Sequence, residues 1–208
     1  MDPGVPIKAL FVDIGGVLLT NGWDRQAREL AATVFNLDLA EINDRHQLTV
    51  ETYELGELTL DEYLQRTIFY EERIFSRAEF REFMYKQSLP HPQMIELIRK
   101  LKAQFGLKIV VISNEGRDIN SYRIQKFQLS EFVDFFGSSC VFHLRKPDLD
   151  IYRMALDMAQ TEPAQVVYID NLRMFVQIAQ AEGIQGINHV DYLSTRTQLA
   201  QLGLAIAE

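Results

Sequence analysis

Asp13 has the setting of a functional residue, because it stands where a buried strand is predicted to end. The apolar run at residues 7–12 leads directly to it, and Gly15, Gly16 and Val17 follow. In open α/β sheets, ligands bind beyond the carboxyl ends of the strands. Glycine in the following turn lets a ligand approach the backbone closely. A carboxylate in this position either caps the turn or takes part in chemistry.

Three later polar pairs extend this interpretation along the chain. They are Ser113-Asn114, Lys146-Pro147 and Asp170-Asn171. Each pair has an ordinary structural explanation when taken alone, because such residues also form turns, precede helices that start with proline, and cap helix N-termini. Two of the pairs, however, follow predicted strands, and the third precedes a predicted helix. We therefore expect all three to lie with Asp13 along one edge of a sheet.

These residue types suit phosphoryl transfer. Asp13 can act as the nucleophile and form an aspartyl-phosphate. A Mg²⁺ ion prefers oxygen ligands and keeps several waters, so it can bind the Asp13 carboxylate, the Gly15 carbonyl and Asp170. Ser113 can donate a hydrogen bond to a phosphate oxygen. Lys146 can stabilise the charge that accumulates on the phosphate in the transition state.

The hydrophobic pattern predicts the elements that hold these residues. Buried parallel strands are predicted at residues 7–13, 108–113, 165–170 and 186–190, and helices at residues 93–105, 151–159 and 172–182. The hydrophobicity of the strands is continuous rather than alternating, as a sheet covered on both faces requires. Alternating strands and helices with right-handed crossovers give a doubly wound sheet. The predicted fold class is therefore α/β, with a Rossmann-like doubly wound parallel sheet as its core.

Residues 21–90 interrupt this alternation and contain no convincing strand. Asp24 can cap a helix over Arg25–Phe35, and capping-box patterns begin at Thr59 and Ser76. Such an insert is either scaffold or a mobile cap that closes over the site and excludes water, and its place after the strand of Asp13 favours an inserted α-helical cap domain. The predicted domains are residues 1–20 with 91–208 for the core, and residues 21–90 for the cap.

The chain resembles the haloacid dehalogenase (HAD) superfamily of hydrolases. The resemblance is carried by residues 13–18 (DIGGVL), 112–114 (ISN), 144–152 (LRKPDLDIY) and 168–171 (YIDN), which match the four family motifs in their order. It covers essentially the whole chain, including the helical insert. It implies a Rossmann-like core, a cap, and hydrolysis through an aspartate nucleophile.

The resemblance also implies roles for individual residues. Asp13 corresponds to the nucleophile, Ser113 to the phosphate-binding hydroxyl and Lys146 to the orienting cation. Mg²⁺ is implied as the cofactor. Its expected ligands are Asp13, the Gly15 carbonyl, Asp170 and Asn171, and the expected phosphate- or substrate-binding residues are Ser113, Asn114, Lys146 and Gly16.

Two positions depart from the usual pattern of the family. Its phosphatases usually carry a second aspartate two residues after the nucleophile, where this chain has Gly15. That acid protonates the leaving group and then activates water, and such assistance is typically worth about 10²–10⁴-fold in rate. We therefore expect a preference for substrates whose leaving groups need no proton. The fourth motif often ends on a second acid, and the neutral Asn171 that replaces it is expected to bind Mg²⁺ more weakly.

Three functions remain open from the sequence. The leading hypothesis is a Mg²⁺-dependent phosphatase of small phosphorylated metabolites. The second is hydrolysis of a C–halogen or C–P bond, since family members with that chemistry also lack the second acid; dehalogenases need no Mg²⁺, so the retained Asp170 counts against that version. The third is a catalytically impaired protein that keeps the fold for binding a partner or a phosphorylated ligand.

Composition limits the setting of this chemistry. The chain has 208 residues, of which 47% are hydrophobic, enough for a sizeable core. Its formal charge of −8 argues against a general nucleic-acid or anionic-membrane surface. Cys140 is its single cysteine, so an internal disulfide is impossible and a cytoplasmic location is expected. The apolar run near the start is too short for a membrane span and lacks the features of a signal peptide. A monomer and a homodimer are both compatible with the sequence.

Substrate identity is expected to depend on the insert and on the segment after the first strand. The candidates to face the pocket are Trp23, Arg25, Arg28 and Tyr53. Their alternative explanations are packing for the two aromatic residues and a solvated helix face for the two arginines.

Overall fold

Five parallel strands form the centre of the molecule. The computed structural model describes residues 5–206. The strands are β1 (Ala9–Val12), β2 (Lys108–Ser113), β3 (Phe135–Ser138), β4 (Val166–Asp170) and β5 (Gln185–Asn188), in the spatial order β3-β2-β1-β4-β5. All neighbouring pairs are parallel. The predicted α/β class with a Rossmann-like doubly wound sheet is confirmed.

The prediction of four strands was wrong by one, because β3 was not anticipated. This strand has only four residues, FFGS, and its last two are a glycine and a serine. It lies at the edge of the sheet, and its two phenylalanines are only partly buried. An edge strand this short does not produce the continuous apolar run that marks β1, β2 and β4 in the sequence.

Helices cover both faces of the sheet. They are α5 (Pro92–Phe105), α6 (Arg117–Lys126), α7 (Ser139–Phe142), α8 (Leu149–Ala159), α9 (Arg173–Ala181) and α10 (Tyr192–Gln201). Alternate residues of β1 point to opposite faces, so Leu10 packs in the layer that contains Leu97, while Phe11 packs in the layer that contains Tyr152. Within residues 5–206, no helix is both long enough and apolar enough to cross a membrane.

Four further helices lie between β1 and α5. They are α1 (Arg25–Phe35), α2 (Leu39–Glu54), α3 (Leu60–Thr67) and α4 (Arg77–Lys86). They share a separate apolar cluster that includes Ile42, Tyr63 and Phe80, all essentially buried. The predicted cap residues act as such: Asp24 accepts a hydrogen bond from the Ala27 amide, and complete capping boxes start α3 and α4. The sequence did not single out α2, the longest of the four.

The two connections between this helical unit and the sheet pair with each other. Leu19 and Pro90 form an antiparallel bridge. The Thr20 amide donates to the Leu89 carbonyl at 2.9 Å, and the His91 amide donates to the Leu18 carbonyl at 2.8 Å. The helical unit therefore leaves and rejoins the core at one point, close to the end of β1.

Candidate active site

A cavity of about 400 Å³ lies beyond the carboxyl ends of the strands. Small-molecule sites commonly have this size. Six of the predicted site residues line it: Asp13, Gly15, Ser113, Asn114, Lys146 and Asn171. The strand order explains why they meet. Strand β1 lies between β2 and β4, with Val12 in register with Val111 and Ile169, so the segments that follow the three strands emerge side by side.

The ammonium group of Lys146 links two carboxylates at the centre of the site. Lys146 Nζ lies 2.7 Å from Asp170 Oδ2 and 3.2 Å from Asp13 Oδ1. The same nitrogen lies 3.3 Å from the Tyr168 hydroxyl and 4.9 Å from the centre of the Phe175 ring. Lys146 is only 1% exposed. A buried cation is stable here because two anions neutralise it and a cation–π contact adds to them.

Burial and charge act in opposite directions on these groups. Burial raises the pKa of Asp13 from 3.8 to about 6, although Lys146 lowers it and Asp170 raises it further. For Lys146, burial lowers the pKa, but Asp13 and Asp170 outweigh that effect and hold the pKa above its usual value. Asp13 is thus a desolvated carboxylate beside a fixed cation, which is the environment that activates a nucleophile.

Reciprocal hydrogen bonds fix the segment that carries Lys146. The Asn114 side chain donates to the Lys146 carbonyl and accepts from the Lys146 amide, both at 2.8 Å. Because Asn114 directly follows β2, these bonds hold Lys146 against the strand end. Ser113, the last residue of β2, is also buried and lies close enough to Asp13 for a hydrogen bond to lower the pKa of Asp13.

Two predicted site residues lie behind the lining of the cavity rather than in it. Asp170 is fully buried, and its Oδ2 accepts from Lys146 and Tyr168 while its Oδ1 accepts from the Leu172 amide at 2.7 Å. Gly16 has φ +74°, and a Cβ there would lie 2.3 Å from the Asn171 amide nitrogen. Gly16 therefore permits the close packing of the Asn171 side chain.

The oxygen donors suit a hard cation held by few protein ligands. Within residues 5–206, no group of three or more His, Cys, Asp or Glu side chains is arranged to hold a metal ion. Asp13 supplies one carboxylate at the cavity, where Gly15 and Asn171 also lie. Mg²⁺ is commonly bound through one or two carboxylates together with substrate phosphate and water, so this donor set fits it. Asp170 contacts Lys146 and Tyr168 instead, which places it one layer further back.

The candidate substrate residues separate into two groups. Trp23 and Tyr53 line the cavity. Arg25 and Arg28 are absent from its lining: Arg25 forms an exposed ion pair with Glu29, and Arg28 donates to Asn43 and to the Trp23 carbonyl. Arg28 thus orients the segment that carries Trp23.

The sequence interpretation overlooked two ion pairs in the cavity wall. Arg123 is paired with Glu115, and both side chains are buried. Arg145 is paired with Glu54 at 2.6 Å, which links α2 to the loop before α8. Glu115 directly follows the second motif and Arg145 lies within the third, so their positions were a usable signal. Nothing local marked Glu54 or Arg123, because their partners lie in other elements.

Arg123 also holds both connections of the helical unit. Its Nε donates to Ser88 Oγ at 3.0 Å, and its Nη2 donates to the Thr20 carbonyl at 3.0 Å. A Cβ on Gly22 would lie 1.9 Å from Arg123 Nη2, so the chain passes the guanidinium too closely for any side chain there. A single buried arginine therefore joins the cavity wall to the point where the helical unit meets the core.

Comparison with known proteins identifies the family. The family model for haloacid dehalogenase-like hydrolases matches residues 7–171, which is most of the chain. The chain belongs to the haloacid dehalogenase-like hydrolases. The resemblance inferred from the four motifs is thereby confirmed, and the chain is assigned to hydrolases.

This HAD-like hydrolase is also similar to individual known proteins. It is 28% identical to the sesquiterpene phosphatase astK of Aspergillus oryzae over 201 residues, which cover 94% of this chain and 96% of the relative. It is 25% identical to bifunctional epoxide hydrolase 2 of Sus scrofa, but there the match spans 80% of this chain and only 33% of the relative. A HAD family enzyme from Bacteroides thetaiotaomicron, solved with magnesium and inorganic phosphate, has the same fold, with a TM-score of 0.71 at 20% identity over 87% of this chain and 93% of that one.

The raised pKa of Asp13 predicts how stability depends on pH in the metal-free protein. The pKa of Asp13 is about 6 in the folded protein and 3.8 in the unfolded chain. Between pH 3.8 and pH 6, the folded protein therefore binds more protons than the unfolded chain. Stability therefore falls as pH rises through this window. Asp13→Asn, which mimics the neutral form, should match the wild type below the window and exceed it above by on the order of 2 kcal/mol. Urea unfolding with chelator at several pH values measures this difference, with the exposed Asp44→Asn as control. A variant that is less stable than wild type above pH 6 would contradict the assignment.

Proposed function

We propose that this HAD-like hydrolase is a Mg²⁺-dependent phosphatase of small phosphorylated metabolites that works through an aspartyl-phosphate on Asp13. The observation that carries the proposal is the placement of Asp13 at the cavity with Lys146 Nζ 3.2 Å from its carboxylate. A nucleophile that must approach a phosphate dianion needs a nearby cation, because two anions otherwise repel each other. The phosphatase name of the astK relative adds support.

Each residue has a defined part in the proposed reaction. Asp13 attacks phosphorus, forming the P–O bond of the phosphoenzyme while the bond to the leaving alkoxide or phenoxide breaks, and the leaving group takes its proton from water because Gly15 supplies none. Ser113 and Lys146 hold the phosphate oxygens and stabilise their charge. When bound by Asp13, Gly15 and Asn171, Mg²⁺ supplies positive charge that shields the two anions from each other. Water then hydrolyses the phosphoenzyme, which restores Asp13 and releases phosphate.

The helical unit fits the role of a cap in this proposal. Residues from α2 and from the segment before α1 form part of the cavity wall, among them Val50, Tyr53 and Trp23. The alcohol portion of a substrate would lie against these residues while its phosphate lies at the strand ends. Closure of such a unit excludes water from the reacting groups, and the paired connections near Arg123 would be its hinge.

The direct test is hydrolysis of acetyl phosphate and p-nitrophenyl phosphate, because neither leaving group depends strongly on an acid at position 15. We expect Mg²⁺-dependent turnover by the wild type and a loss of at least about 10³-fold in Asp13→Asn, which removes the nucleophile. Thermal unfolding of the variant checks that it is folded. Equal rates in the two proteins, or no rate above background for the wild type, would contradict the proposal. Chelator-insensitive halide release from a 2-haloacid would instead support dehalogenation.

A substitution at Gly15 gives a second prediction, which is independent of the Asp13→Asn test. Its φ is not in the left-handed region, and a Cβ there would lie 3.4 Å from Asn21 Oδ1, 3.6 Å from Asn21 Cα and 3.9 Å from Arg123 Nη1, which are ordinary van der Waals contacts. Gly15→Asp should therefore supply the missing acid and accelerate alkyl phosphates by about tenfold or more, while aryl phosphates change less. Steady-state kcat/KM on both substrate classes measures this. Gly15→Asn is the matched control, since it has the same shape and no proton to donate.

A gain shared by Gly15→Asp and Gly15→Asn, or equal gains on alkyl and aryl phosphates, would contradict the role assigned to the missing acid.

A further inference from the structure

Four apolar side chains that keep accessible surface line the cavity beyond the strand ends. Leu172 is 51% exposed, and Trp23, Val50 and Phe175 are only partly buried. A single exposed leucine needs no explanation, but several accessible apolar side chains around one cavity mark a surface that a ligand can cover. Together these four residues form the apolar wall of the cavity.

The apolar wall begins beside the cation that would hold the phosphate. The centre of the Phe175 ring lies 4.9 Å from Lys146 Nζ. Leu172 lies three residues earlier at the start of α9, a spacing that puts the two side chains on one face of the helix. The Leu172 amide donates to Asp170 Oδ1 at 2.7 Å, which fixes this end of the helix against β4. An ester whose phosphate lies at Lys146 would therefore place its alcohol portion beside Phe175 and Leu172.

The helical unit contributes Trp23 and Val50 to the apolar wall, and the Trp23 ring is fixed. It packs edge-on against Phe80 with the ring centroids 5.7 Å apart, and its Nε1 donates to the Tyr63 hydroxyl at 2.8 Å. Because the indole N–H is already paired, the ring offers a ligand only apolar surface. The same hydroxyl lies 2.7 Å from Nδ1 of His46, which also lines the cavity. Burial lowers the pKa of His46 to about 4, so its ring carries no charge near pH 7.

The charged groups around the apolar wall are already compensated within the protein. Glu54 is paired with Arg145 at 2.6 Å, and Glu115 is paired with Arg123. Asp24 caps the N-terminus of α1, where a helix stabilises negative charge. An ionic group on the alcohol portion would lose its hydration and find no free counter-charge among these residues. An apolar group, in contrast, gains free energy in proportion to the area that it buries.

We propose that the apolar wall binds the alcohol portion of the substrate, and that the preferred substrates are phosphate monoesters of apolar, uncharged alcohols rather than of sugars or hydroxy acids. This inference rests on the proposed phosphatase function for the phosphate end of the ligand, and it adds the class of alcohol. The wall lies where the helical unit faces the core, since Val50 belongs to α2 and Phe175 to α9.

Binding of n-alkylphosphonates tests the apolar wall without turnover, because the proposed reaction does not cleave their C–P bond. Dissociation constants for the wild-type protein with Mg²⁺ are measured by calorimetry, from ethylphosphonate to octylphosphonate. We expect each added methylene to tighten binding by up to about fourfold until the cavity is filled, as burial of a methylene allows. A matching series that ends in a carboxylate should lose this gain, and inorganic phosphate should compete with every member.

Three results of this measurement overturn the proposal. They are dissociation constants that do not fall as the chain lengthens, a carboxylate series that binds as tightly as the alkyl series, and binding that inorganic phosphate does not displace.

Val50→Thr should weaken the gain with chain length, because it replaces a methyl group of the apolar wall with a hydroxyl at almost constant volume. At the longest chains we expect binding about threefold to tenfold weaker than in the wild type, with less change for ethylphosphonate. The matched control is Val34→Thr, since Val34 lies in α1 of the same helical unit, is 57% exposed and is absent from the cavity lining. The control should bind the whole series like the wild type.

Leu172→Asn tests the apolar wall from the core side and decides the matter if Val50→Thr does not fold. Asparagine is close to leucine in shape, and the substitution keeps the backbone amide that donates to Asp170. The matched control is Leu193→Asn, at a 68% exposed position in α10 outside the cavity lining. A reduced gain with chain length in either wall variant supports the proposal, and a wild-type series in every folded wall variant overturns it.

Hydrolysis of the corresponding esters separates this inference from the phosphatase function. The kcat/KM of the wild type should be higher for hexyl phosphate than for a hexitol phosphate with the same number of carbons, and the reverse order overturns the apolar preference. Turnover together with a flat binding series contradicts the role of the apolar wall alone. A rising binding series without turnover of any ester contradicts the phosphatase function alone.

Discussion

The site depends on one buried cation placed between two carboxylates. Lys146 Nζ lies within 3.2 Å of both Asp13 and Asp170. Asp13 follows β1, Asp170 ends β4, and Lys146 lies in the loop before α8. A buried cation is tolerated only where anionic partners compensate its charge, and Asp170, at 2.7 Å, is the nearer of the two partners of Lys146. The same contact therefore holds three segments together and orients the proposed nucleophile.

Neighbouring residues fix the positions of the groups that form this contact. Asn114 fixes the backbone of Lys146 from the end of β2, and Tyr168, two residues before Asp170 in β4, donates a hydrogen bond to the Asp170 carboxylate. On the other side of the cavity, Arg123 connects Glu115 to both segments that lead into the helical unit. The strand ends and the helical unit are thus linked through paired buried charges.

The sequence was informative where the signal is local. The continuous apolar runs predicted β1, β2 and β4, and the capping patterns at Thr59 and Ser76 predicted the starts of α3 and α4. The ends of those strands then brought Asp13, Ser113 and Asn171 to one cavity. Short strand β3 was missed because four residues at a sheet edge carry no distinctive pattern. Glu54 and Arg123 were missed because their importance comes from partners distant in the chain, Arg145 for the first and Thr20 and Ser88 for the second.

The proposed reaction requires that Asp13 becomes covalently phosphorylated. The most direct measurement is mass spectrometry of the protein after it has reacted with acetyl phosphate and Mg²⁺ and been quenched rapidly in acid, followed by digestion. We expect one phosphoryl group on the peptide that contains Asp13, absent when chelator replaces Mg²⁺ and absent in Asp13→Asn. Hydrolysis of acetyl phosphate with no label on that peptide, or with the label on another residue, would contradict it.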